Sequence, residues 1–291
     1  MHYLILLYQV FRVKHWIKNT FIFIPSFFAG HFFFEGEIPR LVAGFFSFSL
    51  VASSIYIIND IRDREMDRLH PKKKERPFAA NKITPTQGIL LMLITLSIGL
   101  ASAYYLSVDF LILTGIYLLL NIGYSMGLKT VPIVDLLIVS LGFIIRIYMG
   151  GILSGVAVSH WLSIMIFLLS LFIVLAKRSD DIRIFEENGT MVRKTSSKYN
   201  ASFIHACITM VSGIIIVSYI LYCVSPEITQ QWDSQYIFVT TIFVIAGIMR
   251  YLQITMVEKN TGSPIQILYK DKFIIITLIC WLASFGIIIY L

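Results

Sequence analysis

Asp60, Asp63 and Asp67 stand at i, i+3 and i+7 directly after the apolar run 41–58, so a helix continued past that run presents them along one face. Three close carboxylates repel and raise one another's pKa, whereas a divalent cation with oxygen ligands ionises and neutralises all three. Mg2+ held this way recruits phosphate oxygens to its remaining positions. Arg62, Arg64, Arg68, Lys72, Lys73, Lys74 and Arg76 follow closely, and they supply forked donors and point charges for phosphate. Acid and base together read as a metal-diphosphate site. The bland alternative is a solvated loop among lipid head groups, and the Asn-Asp-x-x-Asp-x-x-x-Asp spacing from Asn59 to Asp67, at a helix end, favours the site.

A second charged segment, Lys177-Arg178-Ser179-Asp180-Asp181 through Arg193, Lys194 and Tyr199, mirrors the first at the end of another apolar run. Near the N-terminus, Lys14, Lys18 and Asn19 stand at the mouth of an apolar stretch, where head-group anchoring and a functional role are both open. Asp135 and Arg146 lie within a further run, eleven residues apart and so on one helical face. An arginine at that depth costs about 2.5–3.5 kcal/mol on insertion scales, so it needs a partner or a wet cavity. A structural ion pair and a substrate contact are equally good readings of it.

The elements that position these residues are membrane helices. The chain has 291 residues, 57% hydrophobic and 14% charged, against roughly a quarter charged in soluble domains. Nine apolar runs are expected to span the bilayer: 17–34, 41–58, 88–106, 110–124, 133–152, 161–176, 203–224, 236–249 and 273–291. Residues 1–16 form an amphipathic helix on the membrane surface. With the N-terminus inside, 22 of the 24 Lys and Arg residues fall in cytoplasmic segments, with Arg40 outside and Arg146 within a span. The net charge of +7 is therefore a topology signal, and no nucleic-acid partner is expected. Cys207, Cys223 and Cys280 lie in apolar runs without paired spacing and read as packed residues. No cleaved signal peptide is expected; the first span directs insertion. A transporter would place broken, polar helices near the midplane, whereas these charges crowd at one face.

With both charged segments in view, the chain resembles the UbiA superfamily of intramembrane prenyltransferases, whose first motif matches residues 59–67. Val13-Lys14-His15-Trp16-Ile17-Lys18-Asn19, Asp67-Arg68-Leu69-His70-Pro71-Lys72 with Arg76-Pro77, Tyr124 to Lys129, Arg146 with Gly150-Gly151, and Lys177-Arg178 with Arg193-Lys194 resemble its decaprenyl-phosphate phosphoribosyltransferase branch. The superfamily's aromatic prenyltransferases usually carry a second Asp-x-x-x-Asp motif; here Lys177-Arg178-Ser179-Asp180-Asp181 takes its place.

The resemblance implies an all-α, polytopic, nine-helix bundle of the UbiA type, one membrane-embedded domain over 1–291, with catalytic loops at 59–87 and 177–202 capping the cytoplasmic face of the inner membrane. It implies Mg2+-dependent transfer of 5-phosphoribosyl from phosphoribosyl pyrophosphate to a polyprenyl phosphate, with prenylation of an aromatic acceptor as the alternative. Asp60, Asp63 and Asp67 would be the catalytic metal ligands. Asn59, Lys72, Arg76, Tyr124, Lys129, Lys177, Arg178 and Arg193 would hold donor phosphates, and Asp181 belongs to the second motif. Lys14, Lys18 and Asn19 would hold the acceptor phosphate.

Overall fold

Among the described residues of the computed structural model, eight helices are long and apolar enough to cross a membrane, and the protein is an integral, multi-pass membrane protein. The structure describes residues 2–69, 73–188, 198–258, 267 and 270–290, and among them there is no β-strand. The eight spans are α3 (Glu37–Arg68), α4 (Pro85–Leu106), α5 (Val108–Met126), α6 (Val134–Ser154), α7 (His160–Asn188), α8 (Ala201–Val224), α10 (Thr241–Gln253, with flanking 3-10 and π turns) and α11 (Lys272–Tyr290). The short helices are α1 (His2–Val10), α2 (Ile24–Phe28) and α9 (Pro226–Gln231).

The run expected to form the first span takes a different shape. Residues Val13–Phe23 are a 3-10 helix that passes directly into α2. A 3-10 helix rises about 2.0 Å per residue against about 1.5 Å for an α-helix, so these sixteen residues extend over roughly 30 Å, the thickness of a hydrocarbon core. Composition alone does not distinguish such a stretched helix from an ordinary one.

The described chain divides into two compact units, one of residues 1–127 and 145–158, the other of residues 128–144 and 159–291. In the first, Ile22, Leu41, Phe48, Phe110, Met149 and Leu153 form the centre of an apolar core. Small residues let its helices approach. A Cβ on Gly99 would lie 3.0 Å from the Ser47 carbonyl oxygen, and the Ser47 hydroxyl donates to the Gly99 carbonyl at 2.9 Å. At Gly150 a Cβ would lie 2.1 Å from the Ile22 carbonyl oxygen, so the 3-10 helix and α6 touch backbone to backbone there, the close approach expected of Gly150-Gly151.

Local signals set the helix ends. Thr84 and Gln87 close a capping box with Pro85 at the first helical position of α4. Ser107 ends α4 and caps α5, its hydroxyl accepting from the Asp109 amide at 3.2 Å. In the second unit α7 and α8 bury Leu168, Phe172, Ile204, Ile208 and Val211 together with Tyr251 and Ile274, and Asn200 caps α8 by accepting from the Phe203 amide.

Both charged segments begin as helix rather than loop. The 32-residue α3 carries the acidic motif through Arg68, and α7 runs on through Asp180 and Asp181 to Asn188. Arg, Glu and Lys are good helix formers and neither stretch holds Pro or Gly, so the helices outlast the hydrophobicity that revealed them.

Candidate functional site

The acidic face of α3 has the spacing its sequence dictates. Asp60 and Asp67 are buried at 2% and 5% exposure, and Asp63 is half-buried. Two arginines from elsewhere in the first unit pair with Asp60 and Asp67. Arg12 grips Asp60 with both Nε, at 3.0 Å from Oδ2, and Nη2, on Oδ1. Arg76 Nη1 donates at 3.0 Å to Asp60 Oδ1 and at 2.7 Å to Asp67 Oδ2. Arg12 also lies over the Tyr56 ring, 5.0 Å from its centroid.

Arg12 was not among the expected site residues. It is the joint between α1 and the 3-10 helix, with φ 50° and ψ 46°, the left-handed region that non-glycine residues rarely enter. Its basic character was legible as part of an interfacial helix; its partner, 48 residues on, was not.

The remaining expected residues divide by what the fold does with them. Asn59 accepts from the Ser125 hydroxyl at 2.7 Å while Arg62 donates to the Ser125 carbonyl at 3.0 Å, so Asn59 ties α3 to the end of α5. Asn19 is buried at 1% exposure; its amide nitrogen donates to Ser49 Oγ at 2.8 Å and its oxygen accepts from Arg146 Nε at 2.8 Å. Lys14 is exposed, and Lys18, Tyr124 and Lys129 are half-buried. Lys72 and Arg193 lie outside the described residues.

The pairing considered for Asp135 and Arg146 does not form. Eleven residues of α6 separate them by about 16 Å along the axis, too far for direct contact. Arg146 is caged instead in the first unit by Asn19, the Tyr117 hydroxyl at 3.2 Å, and the Phe48 and Tyr117 rings, each centroid 5.0 Å away.

Asp135 is the centre of a buried cluster in the second unit. Arg178, at 1% exposure, donates from Nε at 3.0 Å and Nη2 at 2.6 Å to Asp135 Oδ2, and from Nη1 at 2.9 Å to Asp181 Oδ2. Each of its three nitrogens therefore meets a carboxylate, partners that the expectation of a donor-phosphate contact for Arg178 did not include. Tyr199, also unforeseen as a site residue, donates to Asp135 Oδ1 at 3.1 Å and accepts from the Ile133 amide at 2.6 Å. Burial, with Asp135 adding to it, pushes the Tyr199 hydroxyl above its usual range, so it keeps the proton it donates. Lys177 is exposed beside this cluster.

Among the described residues, no group of three or more His, Cys, Asp or Glu side chains is gathered closely enough to hold a metal ion. The donor chemistry nonetheless fits a hard cation. Oxygens of Asp60 and Asp67 already converge on one cationic atom, Arg76 Nη1, and Mg2+ is held by one or two carboxylates plus substrate phosphates.

The model of the UbiA prenyltransferase family matches residues 21–268. The chain belongs to the UbiA prenyltransferase family. It is thus a transferase, and its all-helical membrane architecture is the UbiA fold. The curated relatives include decaprenyl-phosphate phosphoribosyltransferases from Corynebacterium glutamicum, 29% identical over 97% of this chain and 86% of the relative, and from Mycolicibacterium smegmatis, 29% identical over 98% and 92%. Among solved structures, a UbiA homolog from Archaeoglobus fulgidus bound to DMAPP and Mg2+ superimposes with a TM-score of 0.71 at 19% identity, covering 97% of this chain and 98% of that one. A digeranylgeranylglyceryl phosphate synthase superimposes with a TM-score of 0.67 at 21% identity over the full length of both chains. At these identities the structural likenesses establish the UbiA fold alone.

Proposed function

We propose that this UbiA-family transferase moves a 5-phosphoribosyl group from phosphoribosyl pyrophosphate to a polyprenyl phosphate and releases pyrophosphate. The observation that carries this reading is the near full-length similarity to relatives named decaprenyl-phosphate phosphoribosyltransferase. The charge distribution agrees with it. One carboxylate ladder together with Lys14, Lys18 and Arg76 of the same unit suits two anionic substrates, whereas a neutral aromatic acceptor would not need the extra cations.

In this reading the acceptor phosphate oxygen attacks C1 of the ribose, the C1–O bond breaks, and its electron pair leaves with pyrophosphate. The attacking oxygen is already anionic, so no proton has to be removed, and direct attack inverts C1. Mg2+ held by Asp60, Asp63 and Asp67 would supply charge stabilisation to the departing pyrophosphate. In the first unit Arg76 and Tyr124 contact the donor phosphates; the further candidates Lys129 and Lys177 belong to the second unit, and Lys72 and Arg193 lie outside the described residues. Lys14 and Lys18 place the lipid phosphate at the interface, with Asn19 holding the 3-10 helix in position. Arg178 acts as a positioning residue that fixes Asp135 and Asp181. With the 3-10 segment counted as a crossing, nine spans put the N-terminus and both charged segments on the cytoplasmic side of the inner membrane.

The test is an incubation of purified protein with radiolabelled phosphoribosyl pyrophosphate, Mg2+ and polyprenyl phosphates of several lengths, followed by organic extraction. Label in the lipid phase supports the assignment. Label confined to water, with a prenyl diphosphate consumed only alongside an aromatic acid, would replace it with aromatic prenylation.

A further inference from the structure

Two guanidinium groups occupy the acidic face of α3, and they come from opposite sides of it in the sequence. Arg12 closes on Asp60 with two donors, and Arg76 bridges Asp60 to Asp67 through a single nitrogen. Arg76 Nη1 stands where oxygens of both buried carboxylates converge, which is the position a hard cation would take. Close carboxylates on one helix face repel, and here protein cations pair with the two buried ones, Asp60 and Asp67.

Arg12 is held with some force. Its left-handed backbone, φ 50° and ψ 46°, is a costly conformation for a residue with a Cβ. The forked grip on Asp60 and the stacking over Tyr56 are the contacts that retain it. A guanidinium is also a bidentate partner for phosphate as good as for carboxylate.

We propose that Arg12 and Arg76 are built-in counter-ions of the acidic ladder, exchanged for a divalent metal as the two guanidinium groups transfer from carboxylate to the donor's diphosphate. This rests on the metal-diphosphate reading above and adds Arg12 to the diphosphate-binding set. Its consequence is thermodynamic. A metal arriving alone must displace two arginines into water, whereas a metal arriving with diphosphate gives each a new anion. Metal and diphosphate therefore bind with positive coupling, and the coupling is reciprocal.

The experiment measures Mn2+ retained by the full-length protein in lipid nanodiscs by equilibrium dialysis, with and without inorganic pyrophosphate. Wild type is compared with Arg12→Gln, Arg76→Gln, Asp60→Asn and Arg64→Gln, the last removing an arginine paired with the exposed Glu65. Arg12→Gln should bind Mn2+ alone at least about tenfold more tightly than wild type, the scale of one lost charge-assisted pair, and its enhancement by pyrophosphate should shrink by a similar factor. Arg76→Gln should shift both quantities the same way, which keeps the test intact should either variant fold poorly. Equal gains in Arg64→Gln would reduce the effect to net charge and overturn the proposal. Asp60-dependent Mn2+ binding whose coupling is unchanged in both arginine variants would overturn it while leaving the metal reading standing. No Asp60-dependent Mn2+ binding under any condition would remove the metal reading and the proposal with it.

Discussion

Arg178 and Asp135, 43 residues apart, form a two-donor ion pair that is almost wholly withdrawn from solvent. A buried pair of this kind is weak evidence for stability as a whole, because desolvation opposes the Coulomb gain, but removing one partner leaves an uncompensated charge. Arg178→Met, which leaves Asp135 and Asp181 facing each other, should destabilise the protein by about 3–5 kcal/mol. Thermal unfolding in nanodiscs reads this directly, and an unchanged midpoint would contradict the positioning role.

Tyr199 supports the same carboxylate. Its pKa in the fold is raised above the unfolded value of about 10, so the folded state holds the proton more tightly. The resulting stabilisation is complete below that unfolded value and is lost as pH rises through the folded one. Tyr199→Phe should cost about 1 kcal/mol at neutral pH for the lost hydrogen bond. It should also remove Tyr199's share of the alkaline loss of stability, measured as the difference between unfolding midpoints at neutral and high pH.

Gly150 tests the contact between the 3-10 helix and α6. With the Ile22 carbonyl 2.1 Å from a new Cβ, Gly150→Ala must push backbone aside, at a cost of about 1–3 kcal/mol typical of overpacking. Gly115→Ala, where a Cβ meets nothing within 4 Å, is the control and should leave the midpoint in place.

Asp67→Asn should slow turnover by about 10²–10³, the loss typical of one preorganised electrostatic contact. The requirement for Mg2+ should rise with it. Wild-type turnover and an unaltered Mg2+ titration would together remove Asp67 from the metal-binding set.

What the sequence made legible followed from periodicity. The acidic ladder, eight of the spans and the close approach at Gly150 were all readable because helical spacing and residue size are local properties. The pairings were not, since Arg12 with Asp60 and Arg178 with Asp135 each join residues more than forty positions apart. The two carboxylates that Arg178 meets were not legible either, because charge alone does not say which anion a guanidinium faces. Tyr199 stood only at the end of the second charged segment, and its role exists through Ile133 and Asp135. The 3-10 form of residues 13–23 escaped notice because hydropathy records how apolar a run is and not how steeply it climbs.

The unbroken course of α3 has one further consequence. Asp60 and Asp67 sit on a single rod, and its pitch fixes their axial offset at about 10.5 Å. No loop rearrangement can bring them together or let them drift. Accommodation of ligands that differ in bulk must then fall to side chains delivered from outside that rod, and swapping those deliverers, with the aspartates untouched, is the natural route to retuning what this enzyme accepts.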